Sequence, residues 1–333
     1  MAVNRTPLRQ YAAPAALALS LSLGAAACGG QDPEPTDSGN GGNSDGGSDS
    51  VSGSIKIDGS STVEPLSSAA NQLFTDENPD VRVTVGASGT GGGFEVFCAG
   101  RTDISDASRP IDPEEEKLCQ ENGVEFTELR VATDALTVVT NPSVDWTDCI
   151  TTEQLNTIWA PDAEGKIESW SDVDPSWPDT ELALFGPGTD SGTFDYFTDE
   201  INGEEGVSRS DYEASEDDNV LVEGVANTEG AMGYFGFTFY KENADTLKAL
   251  QIDSGDGCVE PSAETAQSGE YTPLARPLFI YVSNKAYQEK PQVAAFVDFY
   301  VEQLDQIVEA AEYIQLNEDQ KAELEESLAS LSG

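Results

Sequence analysis

Three short loops carry the residues best suited to chemistry in this sequence. They are Gly59-Ser60-Ser61-Thr62, Ser88-Gly89-Thr90-Gly91-Gly92-Gly93 and Gly188-Thr189-Asp190-Ser191-Gly192-Thr193. Each precedes a predicted helix. Hydroxyls and free backbone N–H groups at a helix N-terminus attract anions, and glycines let the backbone approach closely. A single loop of this kind is ordinarily a helix cap. Three in one chain point to a tetrahedral oxyanion, provided the fold gathers them. Ser108-Arg109-Pro110 adds a fixed positive charge with a bidentate fork, and Arg109 is one of only eight arginines. The competing reading of Arg109 is a surface ion pair in an acidic background. No Walker lysine follows any of the loops, so nucleotide hydrolysis of that type is unsupported. Thr189-Asp190-Ser191-Gly192 looks superficially like a serine-protease nucleophile segment. Such a nucleophile needs a base, and the sequence has neither His nor an S-x-x-K motif.

The elements that must position these loops read as alternating short strands and helices. Strands are predicted at 54–58, 81–86, 103–108, 125–131, 135–141 and 182–185, a strand or tight turn at 230–236, and a strand at 277–283. The last is nearly continuous in apolar residues, as in a strand buried on both faces. After the first loop, Leu66, Ala69, Ala70, Leu73 and Phe74 recur at helical spacing. Further helices are predicted at 94–98, 113–122, 151–159, 194–200, 219–227, 293–306 and 316–330. Thr151 is the expected cap of its helix, and three Glu open the helix at Pro113. Alternation of this kind predicts an α/β fold with mostly parallel sheets. In such folds ligands lie beyond the carboxyl ends of strands, where the three loops fall.

Composition removes several function classes. The chain has 333 residues, enough for about two lobes. It has 62 Asp+Glu against 16 Lys+Arg, a net charge of −46, and no His. A field of that sign disfavours nucleic acid and anionic membranes as partners. Without His there is no Ser-His-Asp triad, no Cys-His pair and no His metal ligand.

The first residues read as an export signal, 1–27. Arg5 and Arg9 precede an apolar run from Ala12 to Leu23, too short for the ~20 residues that cross a bilayer. Ala25-Ala26-Ala27-Cys28 resembles the bacterial lipobox, in which the Cys is lipidated and becomes the mature N-terminus. Residues 28–52 are acidic, Gly- and Ser-rich and almost free of apolar residues, and so read as a flexible tether. A protein with this layout is held at the outer face of the cell membrane by its lipid alone. Four further Cys remain, Cys98, Cys119, Cys149 and Cys258. In an exported chain they permit three disulfide pairings. The rivals are four free thiols or a metal site, but no CxxC spacing supports a metal and none is expected.

The ordered stretches DGSSTVEPL (58–66), GASGTGGGF (86–94), DISDASRPI (103–111), LTVVTNP (136–142), ITTEQLNTIW (150–159), GPGTDSGTFDYF (186–197) and GAMGYFGF (230–237) carry a family likeness. The sequence resembles the phosphate-binding lipoproteins of bacterial high-affinity phosphate ABC transporters over about residues 54 to 320. The resemblance implies an α/β, two-lobed type II periplasmic binding-protein fold with two inter-lobe crossovers. One lobe would comprise 53–133 and 272–333, the other 134–271. By position, Ser61, Thr62, Ser88, Thr90, Gly91, Ser191, Gly192 and Thr193 would bind phosphate. Better-known members have an Asp where this sequence has Ser108. They also have an Arg just upstream of the third loop, where this sequence has Gly186-Pro187-Gly188. The resemblance implies that Arg109 replaces that Arg, and leaves Asp190 and Asp106 as candidates to accept the phosphate proton.

With these lobes, the favoured disulfides are Cys98–Cys119, on neighbouring helices, and Cys149–Cys258, from the start of the second lobe to its end. The implied function is capture of inorganic phosphate and its delivery to permease subunits by a monomer without cofactor or enzymatic activity. The alternatives are a receptor for sulfate, arsenate or molybdate, a secreted phosphatase, and a surface protein that only senses its ligand.

Overall fold

The computed structural model describes residues 51–189 and 191–331. The export signal, Cys28, nearly all of the tether and Asp190 lie outside the described residues.

A mixed sheet of nine strands runs through the described chain. Strand Gly53–Gly59 lies between two parallel neighbours, Val81–Val85 and Ile104–Ala107. Ala275–Ser283 pairs antiparallel with Ile104–Ala107 on one side and with Phe126–Thr140 on the other. Beyond Phe126–Thr140 come Met232–Gly236, Leu184–Pro187 and Glu213–Ser215. A smaller sheet joins Cys149–Thr151, Gln251–Asp253 and Cys258–Val259.

The expectation of mostly parallel pairing is corrected here. The parallel pairs lie within each lobe, while Ala275–Ser283 and Phe126–Thr140 are antiparallel to all of their strand neighbours. These two segments carry the chain from lobe to lobe. Their directions follow from connection between lobes and not from a local strand-helix-strand unit.

Each lobe has its own core. Ile55, Leu66, Phe74, Leu129, Leu278, Ile280, Phe296 and Tyr300 belong to the first. Leu136, Val138, Leu155, Trp159, Trp170, Phe197 and Tyr234 belong to the second. Phe279 and Tyr281 point the other way from Leu278 and Ile280, onto Phe94, Phe97 and the cysteines 98 and 119. Helices therefore cover both faces of Ala275–Ser283, which explains its unbroken apolar run.

Two strands predicted at 125–131 and 135–141 are one strand, Phe126–Thr140. The stretch between them holds the polar Thr133 and Asp134. Both backbone groups of Thr133 pair with Ile314, and Asp134 accepts from Arg276. With these polar groups satisfied, the strand continues through the boundary between lobes.

The helix predicted from Phe94 starts earlier, at Thr90, and includes Gly91, Gly92 and Gly93. Glycine is a poor helix former. Contact decides the matter at Gly93, where a Cβ would sit 2.5 Å from Gly59 Cα. The backbone of this helix lies directly on the end of the first strand.

The disulfides are Cys98–Cys119 and Cys149–Cys258, the pairs favoured from the sequence.

Candidate functional site

The first loop turns out of Gly53–Gly59 at Gly59, whose φ is 149°. A side chain there would collide with the Asp106 carbonyl, so the position requires glycine. Ser60 is buried; its hydroxyl accepts from the Thr62 N–H and its own N–H bonds the Asp106 carbonyl. Helix Glu64–Glu77 follows. In the second loop, Asp58 accepts from the Ser88 N–H, and Gly89 adopts φ 82° as the cap of helix Thr90–Cys98. Thr90 Oγ1 accepts from the Ser108 N–H at 3.2 Å and lies 3.1 Å from the Ser108 hydroxyl. The end of strand Ile104–Ala107 is thereby tied to the second loop.

The third loop leaves strand Leu184–Pro187 and enters helix Gly192–Phe197, where Ser191 caps the Thr193 N–H. Gly192 faces Thr62 across the cleft: a Cβ on it would lie 3.3 Å from Thr62 Oγ1. The three loops meet at one cavity of about 590 Å³. It is lined by Ser60, Ser61, Thr62, Ser88, Thr90, Gly91, Ser108, Arg109 and Gly192, with Asp195, Asp199, Glu200 and Glu205 on the wall from the second lobe.

Arg109 reaches this cavity with its fork already engaged. Nη1 and Nη2 each donate to Glu115 at 2.9 Å, and Asp112 lies 3.2 Å from Nη1. Burial raises the Glu115 carboxyl, but the Arg109 hydrogen bond and the Asp112 N–H hold it below its usual range. Glu115 also closes the capping box of helix Pro113–Glu121 through Asp112. The same helix is bonded to Thr90–Cys98 by Cys98–Cys119.

A second arginine, Arg276, lines the cavity at the start of Ala275–Ser283. Nε donates to Asp134 at 3.2 Å and Nη2 donates to Thr62 Oγ1 at 2.8 Å. Its guanidinium lies 3.6 Å from the centroid of the Tyr196 ring. Burial raises the Asp134 carboxyl and Arg276 opposes the shift.

A family profile described as a PBP superfamily domain matches residues 44–303. The SphX protein of Synechocystis is 48% identical over 81% of this chain and 80% of its own length. The phosphate-binding protein PstS of Staphylococcus saprophyticus is 38% identical over 96% of this chain and 93% of its own. The chain belongs to the PstS and SphX family. The crystal structure of a possible phosphate binding protein from Planctomyces limnophilus matches over 85% of this chain and all of its own. It has 47% identity and a TM-score of 0.81. The two-lobed binding-protein fold is therefore that of the family.

The positions carried over from the family divide into groups. Ser61, Thr62, Ser88, Thr90, Gly91, Ser108, Arg109 and Gly192 come together at the cavity. Ser191 acts as a helix cap, and Thr193 lines a separate cavity of about 140 Å³ behind the loop. Asp190 is outside the described residues. Asp106, proposed as proton acceptor, is misplaced for that role. It has no exposed surface and accepts from Ser67 within the first lobe. It follows the buried Ser105 and precedes Ala107 in a strand buried throughout, so its side chain belongs to the core.

Sequence reasoning missed Arg276 and the acidic wall. The available signal was an arginine opening an otherwise apolar buried strand, where an unpaired charge is costly. Among the described residues no group of three His, Cys, Asp or Glu is arranged to hold a metal.

Proposed function

We propose that this chain is the receptor of a phosphate ABC importer, capturing inorganic phosphate between its lobes and delivering it to the permease subunits. The observation that carries this reading is the meeting of three hydroxyl- and glycine-rich loops at one cavity. Its support is the 38% identity to a PstS named as phosphate-binding.

The chemistry follows from the donors. Thr62 Oγ1 accepts from Arg276, which leaves its O–H to donate to an anion. Ser61, Ser88 and the backbone around Gly91 and Gly192 add neutral donors. Neutral donors act at contact distance, whereas charges on the acidic surface are screened beyond ~8 Å at physiological salt. The wall of Asp195, Asp199, Glu200 and Glu205 supplies proton acceptors. Burial raises Asp195 and Glu200, with Glu205 and Asp199 respectively adding to the rise and Arg276 opposing it in both. Phosphate that retains a proton can donate to such a group, and fully ionised sulfate cannot.

In the same reading the lobes divide at 133/134 and 271/272, the receptor is a monomer without enzymatic activity, and Cys28 carries the lipid that holds it to the outer membrane face. No helix among the described residues is long and apolar enough to cross a membrane.

Calorimetric titration of the purified protein tests the function. Phosphate should bind, arsenate should compete with it, and sulfate should bind at least about a hundredfold more weakly, as expected when a site's polar groups are left unpaired. Sulfate binding as tight as phosphate, or no phosphate binding, would overturn the reading.

A further inference from the structure

We propose that Arg276, and not Arg109, is the principal cationic ligand of the bound anion, presented from the crossover between the lobes. This inference rests on the phosphate reading and assigns the charge within that site. Two guanidinium groups reach the cavity, those of Arg109 and Arg276. Both terminal nitrogens of Arg109 are committed to Glu115, and Asp112 stands beside them. Two carboxylates therefore surround one cation, and an incoming phosphate would have to displace a bidentate partner.

Arg276 is held differently. Asp134 takes one bond, from Nε, and Thr62 takes a second with a neutral hydroxyl. Nη1 donates to no described residue, while the side chain is only 18% exposed against 39% for Arg109. A less exposed cation with a free donor is better placed to bind an anion in a cleft that excludes water.

The supports of Arg276 come from every part of the cleft. Thr62 belongs to the first loop, Asp134 to the outgoing crossover strand, and Tyr196 to the helix after the third loop. Tyr196 stacks on the guanidinium and donates its hydroxyl to the Pro273 carbonyl on the returning chain. Asp134 is buried and fixes the direction of the fork. Arg276 thus stays on the crossover, where its partners from both lobes converge.

The test compares Arg276→Lys, Arg276→Gln and Arg109→Ala by calorimetric titration with inorganic phosphate, alongside thermal melting with and without it. Arg276→Lys should weaken phosphate about tenfold, because a point charge lacks the fork. Arg276→Gln should weaken it about a hundredfold, as for a lost charge-assisted bond. Arg109→Ala should change it by less than about fivefold, the scale of one neutral hydrogen bond. The rise of the melting point on adding phosphate should shrink in the same order, a readout that structural support alone would leave unchanged. If Arg276→Gln does not fold, Arg276→Lys, which keeps a cation beside Asp134, decides the matter. A folded Arg276→Lys that binds like the parent overturns the proposal, as does Arg109→Ala losing more affinity than Arg276→Lys. A parent that binds no phosphate overturns the phosphate reading with it; a binding parent and equally binding variants overturn this assignment alone.

Discussion

Asp106 shows how far one residue's role depends on the side of the strand it occupies. Its carbonyl supports the first loop, yet its carboxyl lies in the core. Burial pushes that carboxyl up to about 8, opposed by the Ser67 hydrogen bond and reinforced by Glu64 and Asp58. The folded value is thus above the unfolded one. The stability contribution is full below about pH 4 and is lost progressively as pH rises to about 8. Asp106→Asn removes this titration while keeping the shape. The stability of the variant relative to the parent should therefore grow between pH 4 and pH 8, by at most about 1.4 kcal/mol per pH unit, and then level off. Chemical denaturation at a series of pH values measures it. A difference that stays flat from pH 5 to pH 8 would mean that Asp106 ionises like an exposed carboxyl.

Among the elements, the two disulfides perform different tasks. Cys98–Cys119 fixes helix Pro113–Glu121 against the helix of the second loop, and so fixes Glu115 beside Arg109. Cys149–Cys258 joins the outer strands of the small sheet across Gln251–Asp253. Their sequence separations are 21 and 109 residues. In the chain-entropy account, loops of those lengths contribute about 3 and about 5 kcal/mol, with the mechanism dependent on the model used. Replacing Cys149 and Cys258 together by Ala should therefore lower the denaturant midpoint more than replacing Cys98 and Cys119 together. Equal midpoints for the parent and the 149/258 variant would refute the stabilising role of that bridge.

At the scale of the whole molecule, charge bears on how the receptor is held. Removing residues 1–27 takes away Arg5 and Arg9 and no acidic residue, leaving 14 Lys+Arg against 62 Asp+Glu, a charge of −48. Such a body is repelled by anionic lipid, so in the proposed layout the lipid on Cys28 must supply all of the attachment. Cys28→Ser should move the protein from the membrane fraction to the soluble fraction at both low and high salt. Retention of the variant at the membrane would show that something other than the lipid holds it.

The sequence by itself determined the three loops, most of the strands and helices that flank them, and the family. Loop chemistry and element spacing are local properties, so Gly59–Thr62, Ser88–Gly93 and the cap at Thr151 were legible without any contact. The cap even forms its box with Gln154, as local spacing allows. Only the tertiary structure decided what depends on residues distant in sequence. It joined two predicted strands into Phe126–Thr140, because Thr133 finds Ile314 and Asp134 finds Arg276. It withdrew Asp106 into the core and surrounded Arg109 with Glu115 and Asp112. It also brought Arg276 to Thr62, 214 residues away. A charge is specified by its neighbours in space, and for these residues the deciding neighbours lie on other elements or across the crossover.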